Sequence, residues 1–206
     1  MKSFKQFVEA IEHQAGSETT QVATTTGTYR KSAEKLKPLL SQGSKVLDYG
    51  AGMGKGTQAM KDVLGDEHTV HSYEPFAKNW TPDHSSSETI KDDHDAVVSH
   101  NVLNVLQPKL RSEVTKHLLS RVKPGGHVIV GTRGWKGDVA TAKNVTPSKD
   151  EDNAVWVHKK QGDVYQKGFD GDELLNHMKS HDPEGNFEFK KIGGLAKSTI
   201  IGKRIK

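Results

Sequence analysis

The chain has 206 residues, of which 33% are hydrophobic and 27% are charged, and its formal net charge is +4. This length fits one domain with its own core, and the absence of cysteine excludes a disulfide scaffold, a thiolate metal site and a cysteine nucleophile. No apolar run approaches the roughly 20 residues that span a membrane, and the N-terminus lacks the apolar core of a signal peptide, so we expect a soluble, cytoplasmic protein.

Residues 1–29 are expected to lie outside the main domain. Apolar side chains recur at helical spacing over residues 3–13 and predict a short amphipathic helix there. The polar, threonine-rich run that follows is typical of a mobile linker. We therefore expect the domain to occupy residues 30–206, with a first helix from residue 30 that breaks around Pro38.

Strands alternate with helices from residue 45 onward. Strands are predicted at 45–49, 68–74, 95–100 and 127–133, and helices at 55–64, 108–121 and 171–181. Alternation of this kind predicts parallel strands joined by right-handed crossovers. Residues 187–192 and 198–205 predict a terminal antiparallel pair, and the polar stretch near 134–165 predicts an excursion from the core. These six predicted strands indicate an α/β, doubly wound, Rossmann-like sheet, mostly parallel with a C-terminal antiparallel pair, and we expect the complete sheet to have seven strands.

A glycine loop between the first strand and the next helix is the strongest functional signal. Residues 46–56 read VLDYGAGMGKG, so an apolar strand carries Asp48 and glycines follow at positions 50, 52 and 54. Glycine permits a sharp turn and a close approach between backbone and ligand. The dinucleotide pattern GxGxxG fails, because Lys55 or Thr57 occupies the place of its third glycine, and a GxxxxGK[ST] phosphate loop is absent.

An apolar strand followed by acid-x-Gly-x-Gly-x-Gly resembles the signature of class I S-adenosylmethionine-dependent methyltransferases. The resemblance covers residues 44–133 and extends more loosely through 166–178. It implies that S-adenosylmethionine is the cofactor and that Asp48 holds its amino end. The loop would wrap the methionine part through Gly50, Ala51, Gly52 and Gly54. A tight strand-to-helix turn without a ligand is the alternative interpretation.

Three further residues are assigned to the same cofactor. Glu74 ends the second strand, 20 residues after the last glycine of the loop, where an acid can accept hydrogen bonds from both ribose hydroxyls. The family often places an acid near the strand at 95–100 against the adenine amino group, and Asp93 is the candidate among three close aspartates. Tyr29 lies in a segment that can cover the methionine part, with packing in the core as its alternative role.

The methyl acceptor is expected beside the end of the strand at 95–100. His100 has an ordinary pKa that suits a general base, and its alternative role is to line the cofactor pocket with its backbone. Asn101 and Asn104 are three residues apart and are expected to share a face, where they bind the acceptor or cap the turn. The catalytic candidates are therefore His100, Asn101 and Asn104. The [DNS]PP[YFW] motif of amino-group DNA methyltransferases is absent at this point.

The distribution of charge bears on the methyl acceptor, and two shorter resemblances bear on the origin of the protein. Residues 111–206 carry 18 basic and 12 acidic side chains, which favours a phosphate-bearing acceptor, nucleic acid ahead of protein, over the alternative of solvated surface lysine. The segment VVSHNVLNVL resembles methyltransferase-like proteins associated with DNA phosphorothioation. The N-terminal MKSFKQFVEA resembles the leaders of tailed-phage proteins, which implies a phage-encoded protein in the host cytoplasm.

The sequence thus predicts an enzyme that transfers a methyl group by in-line displacement. Two alternatives stay open, namely a non-catalytic S-adenosylmethionine-binding regulatory or accessory protein and an enzyme that cleaves S-adenosylmethionine. The glycine loop and Glu74 report binding alone and do not separate them. No metal site is predicted, because His177 and His181 lack both an HExxH motif and an evident third ligand and are interpreted as surface histidines.

Overall fold

Strands and helices alternate through the chain in a computed structural model, which describes residues 26–91, 93–160, 162–195 and 198–206. The helices are α1 (Thr26–Leu36), α2 (Lys55–Leu64), α3 (Pro108–Ser120) and α4 (Gly171–Ser180). The strands are β1 (Lys45–Tyr49), β2 (Thr69–Tyr73), β3 (His94–His100), β4 (Val122–Thr132), β5 (Val145–Pro147), β6 (Ala154–Lys159), β7 (Gly162–Lys167), β8 (Phe187–Lys191) and β9 (Ser198–Arg204). The helix predicted at residues 3–13 lies outside the described residues.

The main sheet has the strand order β2-β1-β3-β4-β9-β8. β1 pairs in parallel with β2 and β3, and β4 pairs in parallel with β3. β9 runs antiparallel to both β4 and β8. The chain moves outward from β1 to β2 and then returns to β3 on the other side of β1, which creates the switch point where open α/β sheets bind ligands. The predicted α/β class, the mostly parallel sheet and the terminal antiparallel pair are confirmed.

The main sheet contains six strands within the described ranges, so the predicted seventh strand is not seen there. Beyond β2, one parallel bridge between Tyr73 and His84 takes its place. The chain between β2 and β3, residues 74–91, is otherwise irregular apart from one turn of 3-10 helix at Ser87–Thr89. This β2–β3 segment contains two prolines and three successive serines, and it lacks the apolar alternation that a paired strand buries.

Helices cover both faces of the main sheet, as a doubly wound fold requires. On one face, α1 and α2 pack over the sheet through Tyr29, Ala33, Leu36, Ala59, Met60 and Leu64. On the other face, α3 and α4 pack through Leu110, Val114, Leu118, Leu174 and Met178. α1 already includes Thr26, so the end of the predicted linker is helical. Among the described residues, no helix has the length and apolarity needed to cross a membrane.

The predicted polar excursion contains a second, antiparallel sheet in the order β5-β6-β7. Buried charges attach it to the main domain. Arg111 of α3 is 3% exposed, pairs with Glu151 and donates to the carbonyl oxygens of residues 103 and 106. Lys167 of β7 is 2% exposed and pairs with Glu173 of α4. The small sheet is therefore docked beside the chain that leaves the carboxyl end of β3.

Candidate cofactor site

The glycine loop follows β1 and has a backbone that glycine accommodates best. Gly50, Gly52 and Gly54 have φ angles of 82°, 59° and 75°. The N–H groups of Gly50 and Ala51 both donate to the carbonyl oxygen of Tyr73, at 2.9 and 3.0 Å. Apart from Gly52 and its two chain neighbours, no described residue has a heavy atom within 4 Å of a Cβ built on Gly52. The loop is thus fixed to the end of β2 while Gly52 borders open space.

Asp48 is a fully buried carboxyl group directly before this loop. Its Oδ2 accepts a hydrogen bond of 2.7 Å from the Thr57 hydroxyl, and its Oδ1 is buried with no hydrogen-bond partner among the residues described. Burial, together with the nearby charge of Glu74, raises the pKa of Asp48 to about 7, although the hydrogen bond from Thr57 acts to lower it. A cationic group beside Oδ1 would favour the ionised form, so this position suits a ligand ammonium group.

Glu74 follows β2 and points its carboxylate at the glycine loop. Its Oε2 accepts from the N–H of Gly52 at 2.7 Å, and its Oε1 accepts from the N–H of Phe76 at 3.0 Å. The side chain is 6% exposed, and burial raises its pKa despite these two bonds. Glu74 thus lies beside the glycine that borders open space, and its contact with the ribose stays a prediction.

Trp80 packs against the same loop, although no spacing or motif in the sequence identifies it. Its indole Nε1 donates to the carbonyl oxygen of Gly52 at 3.0 Å. Its ring lies 3.3 Å from a Cβ built on Gly54. Because Trp80 belongs to the β2–β3 segment, the position of that irregular segment determines one wall of the loop.

Tyr29 and His100 pack against each other between α1 and the end of β3. Their ring centroids are 4.9 Å apart, edge to face, and His100 Nε2 lies 2.8 Å from the Ser32 hydroxyl. Burial lowers the pKa of His100 to about 4, so its imidazole is neutral at pH 7. The expectation that this side chain faces the acceptor is corrected, because it is 5% exposed and lies against Gly131 on the α1 side.

Asn101 and Asn104 do not share a face, in contrast to the prediction. Asn101 is exposed, has a φ of 60° and donates its N–H to the carbonyl oxygen of Gly131 at 2.8 Å. Asn104 is fully buried, and its Nδ2 donates to Gln166 Oε1 of β7 at 3.2 Å. The left-handed backbone at Asn101 changes the direction of the chain before a helical turn begins, so the helical spacing does not apply.

Asp93 lies at the wrong edge of the sheet for the adenine contact that was predicted. It directly precedes β3, whereas the glycine loop lies at the carboxyl ends of the strands. β3 has seven residues and spans roughly 20 Å, so the two edges are far apart. The neighbouring Asp95 accepts from the Lys45 N–H at 2.8 Å and pairs with Lys123. Asp95 therefore links the amino end of β3 to β1 and β4.

The fold is similar to those of solved methyltransferases. A S-adenosylmethionine-dependent methyltransferase from Clostridium acetobutylicum matches with a TM-score of 0.61 and 12% identity, over 98% of this chain and 99% of that one. The sugar N-methyltransferase KedS8 from a Streptoalloteichus species matches with a TM-score of 0.58 and 12% identity, over 100% and 94% of the two chains.

A third similar structure contains ligands. The 1,6-didemethyltoxoflavin-N1-methyltransferase of Burkholderia thailandensis, solved with 1,6-didemethyltoxoflavin and S-adenosylhomocysteine, matches with a TM-score of 0.57 and 13% identity, over 98% and 89% of the chains. Comparisons with models of protein families and with curated proteins find no match. At these identities the similarity establishes the fold.

Proposed function

We propose that this protein binds S-adenosylmethionine at the glycine loop and transfers its methyl group to a polar acceptor. The observation that carries the proposal is the unpartnered Oδ1 of Asp48, a buried carboxylate oxygen beside a loop whose Gly52 borders open space. An α-ammonium group supplies the partner that this oxygen lacks among the described residues. NAD has no ammonium group to offer there, so the same feature argues against a dinucleotide.

The remaining cofactor contacts are assigned around Asp48. Gly50, Ala51, Gly52 and Gly54 would lie along the methionine part of the cofactor, and Glu74 would accept hydrogen bonds from the ribose hydroxyls. A carboxylate has about four acceptor positions, so Glu74 can keep its bond from Gly52 while it accepts the ribose. Tyr29 and His100 pack against each other between α1 and the end of β3, and we assign them a packing role.

Bound S-adenosylmethionine supplies an activated methyl group, so the chain has to position an acceptor in line with it. Such alignment contributes about 7–11 kcal/mol to catalysis without any acid or base. Asn101 is the exposed candidate at the carboxyl end of β3, and its amide can orient a polar acceptor. Since His100 is buried and its pKa of about 4 makes it a weak base, we favour an amine, whose proton can leave after the methyl group has been transferred.

A small-molecule amine is favoured over nucleic acid as the acceptor. The basic side chains of residues 111–206 include several held in ion pairs, namely Arg111, Lys123, Arg133, Lys167 and Lys191. Paired charges contribute little to a phosphate-binding surface. Two of the similar structures are named as a sugar N-methyltransferase and as a 1,6-didemethyltoxoflavin-N1-methyltransferase, both of which indicate a small-molecule acceptor. The resemblances to phage leaders and to phosphorothioation-associated proteins stay predictions about this chain.

Binding without methyl transfer is a second candidate, favoured by the burial of His100 and Asn104. A labelled-methyl assay separates the candidates, with amines, DNA, RNA and protein offered as acceptors and Gly52→Val as the control. Label in the amine fraction supports the proposal, and salt-sensitive label in DNA or RNA would restore nucleic acid as the acceptor. S-adenosylhomocysteine binding without labelled product would favour the regulatory role, and consumption of S-adenosylmethionine without an acceptor would favour cleavage.

A further inference from the structure

Three histidines from three different parts of the chain come together outside the glycine loop. His71 lies in β2, His84 lies in the β2–β3 segment, and His94 begins β3. Each offers one ring nitrogen, and these three atoms lie within 4.8 Å of one another. His71 Nδ1 and His94 Nε2 are 3.3 Å apart, and the rings of His84 and His94 stand nearly perpendicular to that of His71.

We propose that these three histidines bind a divalent transition-metal ion, with Zn²⁺ as the ion to test. A tetrahedral site with Zn–N distances of about 2.0–2.1 Å separates its ligand nitrogens by about 3.3–3.4 Å. The distance between His71 Nδ1 and His94 Nε2 already has this value. Neutral imidazole is the usual nitrogen ligand for such ions, and three histidines leave a fourth position for water.

His84 also has the supporting contact that metal-binding histidines need. Its Nδ1 lies 3.2 Å from the Thr89 hydroxyl. This contact holds the orientation of the ring and leaves Nε2 as the nitrogen for the metal. Such contacts fix the orientation and tautomer of a ligand. Asp83 accepts from both the N–H and the hydroxyl of Ser72, each at 2.8 Å, which anchors the neighbouring chain to β2. The β2–β3 segment is thus held close to the position that coordination requires.

The proposed ion joins the β2–β3 segment to the sheet beside its edge strand β2, where no further strand is found in the described residues. The segment is linked to β2 by the Tyr73–His84 bridge and by the contacts of Asp83. A metal bound to His71, His84 and His94 would connect β2, the segment and β3 at one point. Because Trp80 of the same segment contacts the glycine loop, the ion would also stabilise the side of that loop on which Trp80 packs.

The sequence does not reveal this cluster, because the three histidines are 13 and 10 residues apart and form no metal-binding motif. The histidine pair that helical spacing suggests is His177 and His181. These two are half-buried on and after α4, with ring centroids 4.3 Å apart, and Thr115 lies 2.9 Å from His177 Nε2. This second histidine pair provides a matched control.

The test uses the untagged chain, stripped with chelator and titrated with ZnSO₄ by calorimetry and by thermal unfolding, and with CoCl₂ by visible absorption. Wild type should bind one Zn²⁺ and unfold at a higher temperature when it is bound, since an ion that binds the folded state stabilises it. His84→Gln should lower the affinity by more than about 100-fold, beyond the effect of losing a supporting contact. His181→Gln should bind as wild type does.

His84 is half-exposed and lies outside the regular elements, so the metal-free variant should keep the circular dichroism spectrum of wild type. Wild-type stoichiometry and the cobalt spectrum test the site independently of any variant. Equal zinc affinity in wild type and His84→Gln would overturn the proposal, as would a wild type that binds no metal or a loss of binding in His181→Gln alone. None of these outcomes depends on S-adenosylmethionine binding, so the proposed function is tested separately.

Discussion

Asp48→Asn should make the cofactor-free protein more stable at pH 8 and change its stability by less than about 1 kcal/mol at pH 4. Burial raises the pKa of Asp48 from 3.8 to about 7. Below pH 3.8 the carboxyl is protonated in both states, whereas above pH 7 it is ionised in both, and the folded state carries the full penalty. The free energy of unfolding of wild type therefore decreases as the pH rises from 3.8 to 7, by at most about 4 kcal/mol.

The same substitution should weaken the binding of S-adenosylhomocysteine. Ionised Asp48 would form a charged hydrogen bond with the ligand ammonium group, a contribution of about 1.5–3 kcal/mol that corresponds to about 10- to 150-fold in affinity. Ligand binding to wild type should also tighten from pH 6 to pH 8, as Asp48 ionises. Asparagine keeps an acceptor for the Thr57 hydroxyl, so the local fold should persist.

Urea unfolding at pH 4, 6 and 8 measures the first effect, and calorimetric titration measures the second. Asp62→Asn is the matched control, because Asp62 is an exposed acid on α2 whose pKa is lowered by hydrogen bonds from Gln58 and Arg30. That variant should not gain stability at pH 8. The reasoning is refuted if Asp48→Asn is no more stable than wild type at pH 8, or if it binds S-adenosylhomocysteine equally well.

Three further substitutions test the site. Gly52→Val should abolish the binding of S-adenosylhomocysteine measured by calorimetry. Gly43→Val is the control, because Gly43 also has a positive φ (78°) beside open space, so the substitution imposes a similar strain of about 1–2 kcal/mol and should leave binding intact. Equal loss of binding in both variants would point to strain alone. Glu74→Gln should weaken binding by at most about 3 kcal/mol, and unchanged affinity would show that Glu74 does not bind the ribose. Asn101→Gly suits the φ of 60° and should slow methyl transfer without changing cofactor affinity, so normal turnover would exclude an acceptor contact.

Local sequence patterns predicted the elements that bury continuous apolar runs. The predicted strand at 45–49 and the predicted helix at 55–64 coincide with β1 and α2, because glycines bound both ends of the helix and the strand is apolar. β6 and β7 escaped prediction because each has only six residues and neither alternates buried with exposed positions, and the buried run of β7 includes the polar Gln166 and Lys167. Their packing depends on Arg111 and Lys167, contacts that local periodicity does not report.

The site was predictable where spacing along the chain determines position. Asp48 and Glu74 end successive parallel strands, so both had to lie near the glycine loop. The direction of His100 follows from strand alternation, because Ala96 and Val98 face α1 and α2 and every second residue shares that face. Asn104 depends on the docked β7, which the sequence alone did not reveal.

Calorimetric titration of the 206-residue chain with S-adenosylhomocysteine, and separately with NAD, tests the cofactor assignment most directly. We predict one S-adenosylhomocysteine bound per chain, with loss of this binding in Gly52→Val and no saturable binding of NAD. Saturable binding of NAD together with no binding of S-adenosylhomocysteine would contradict the assignment.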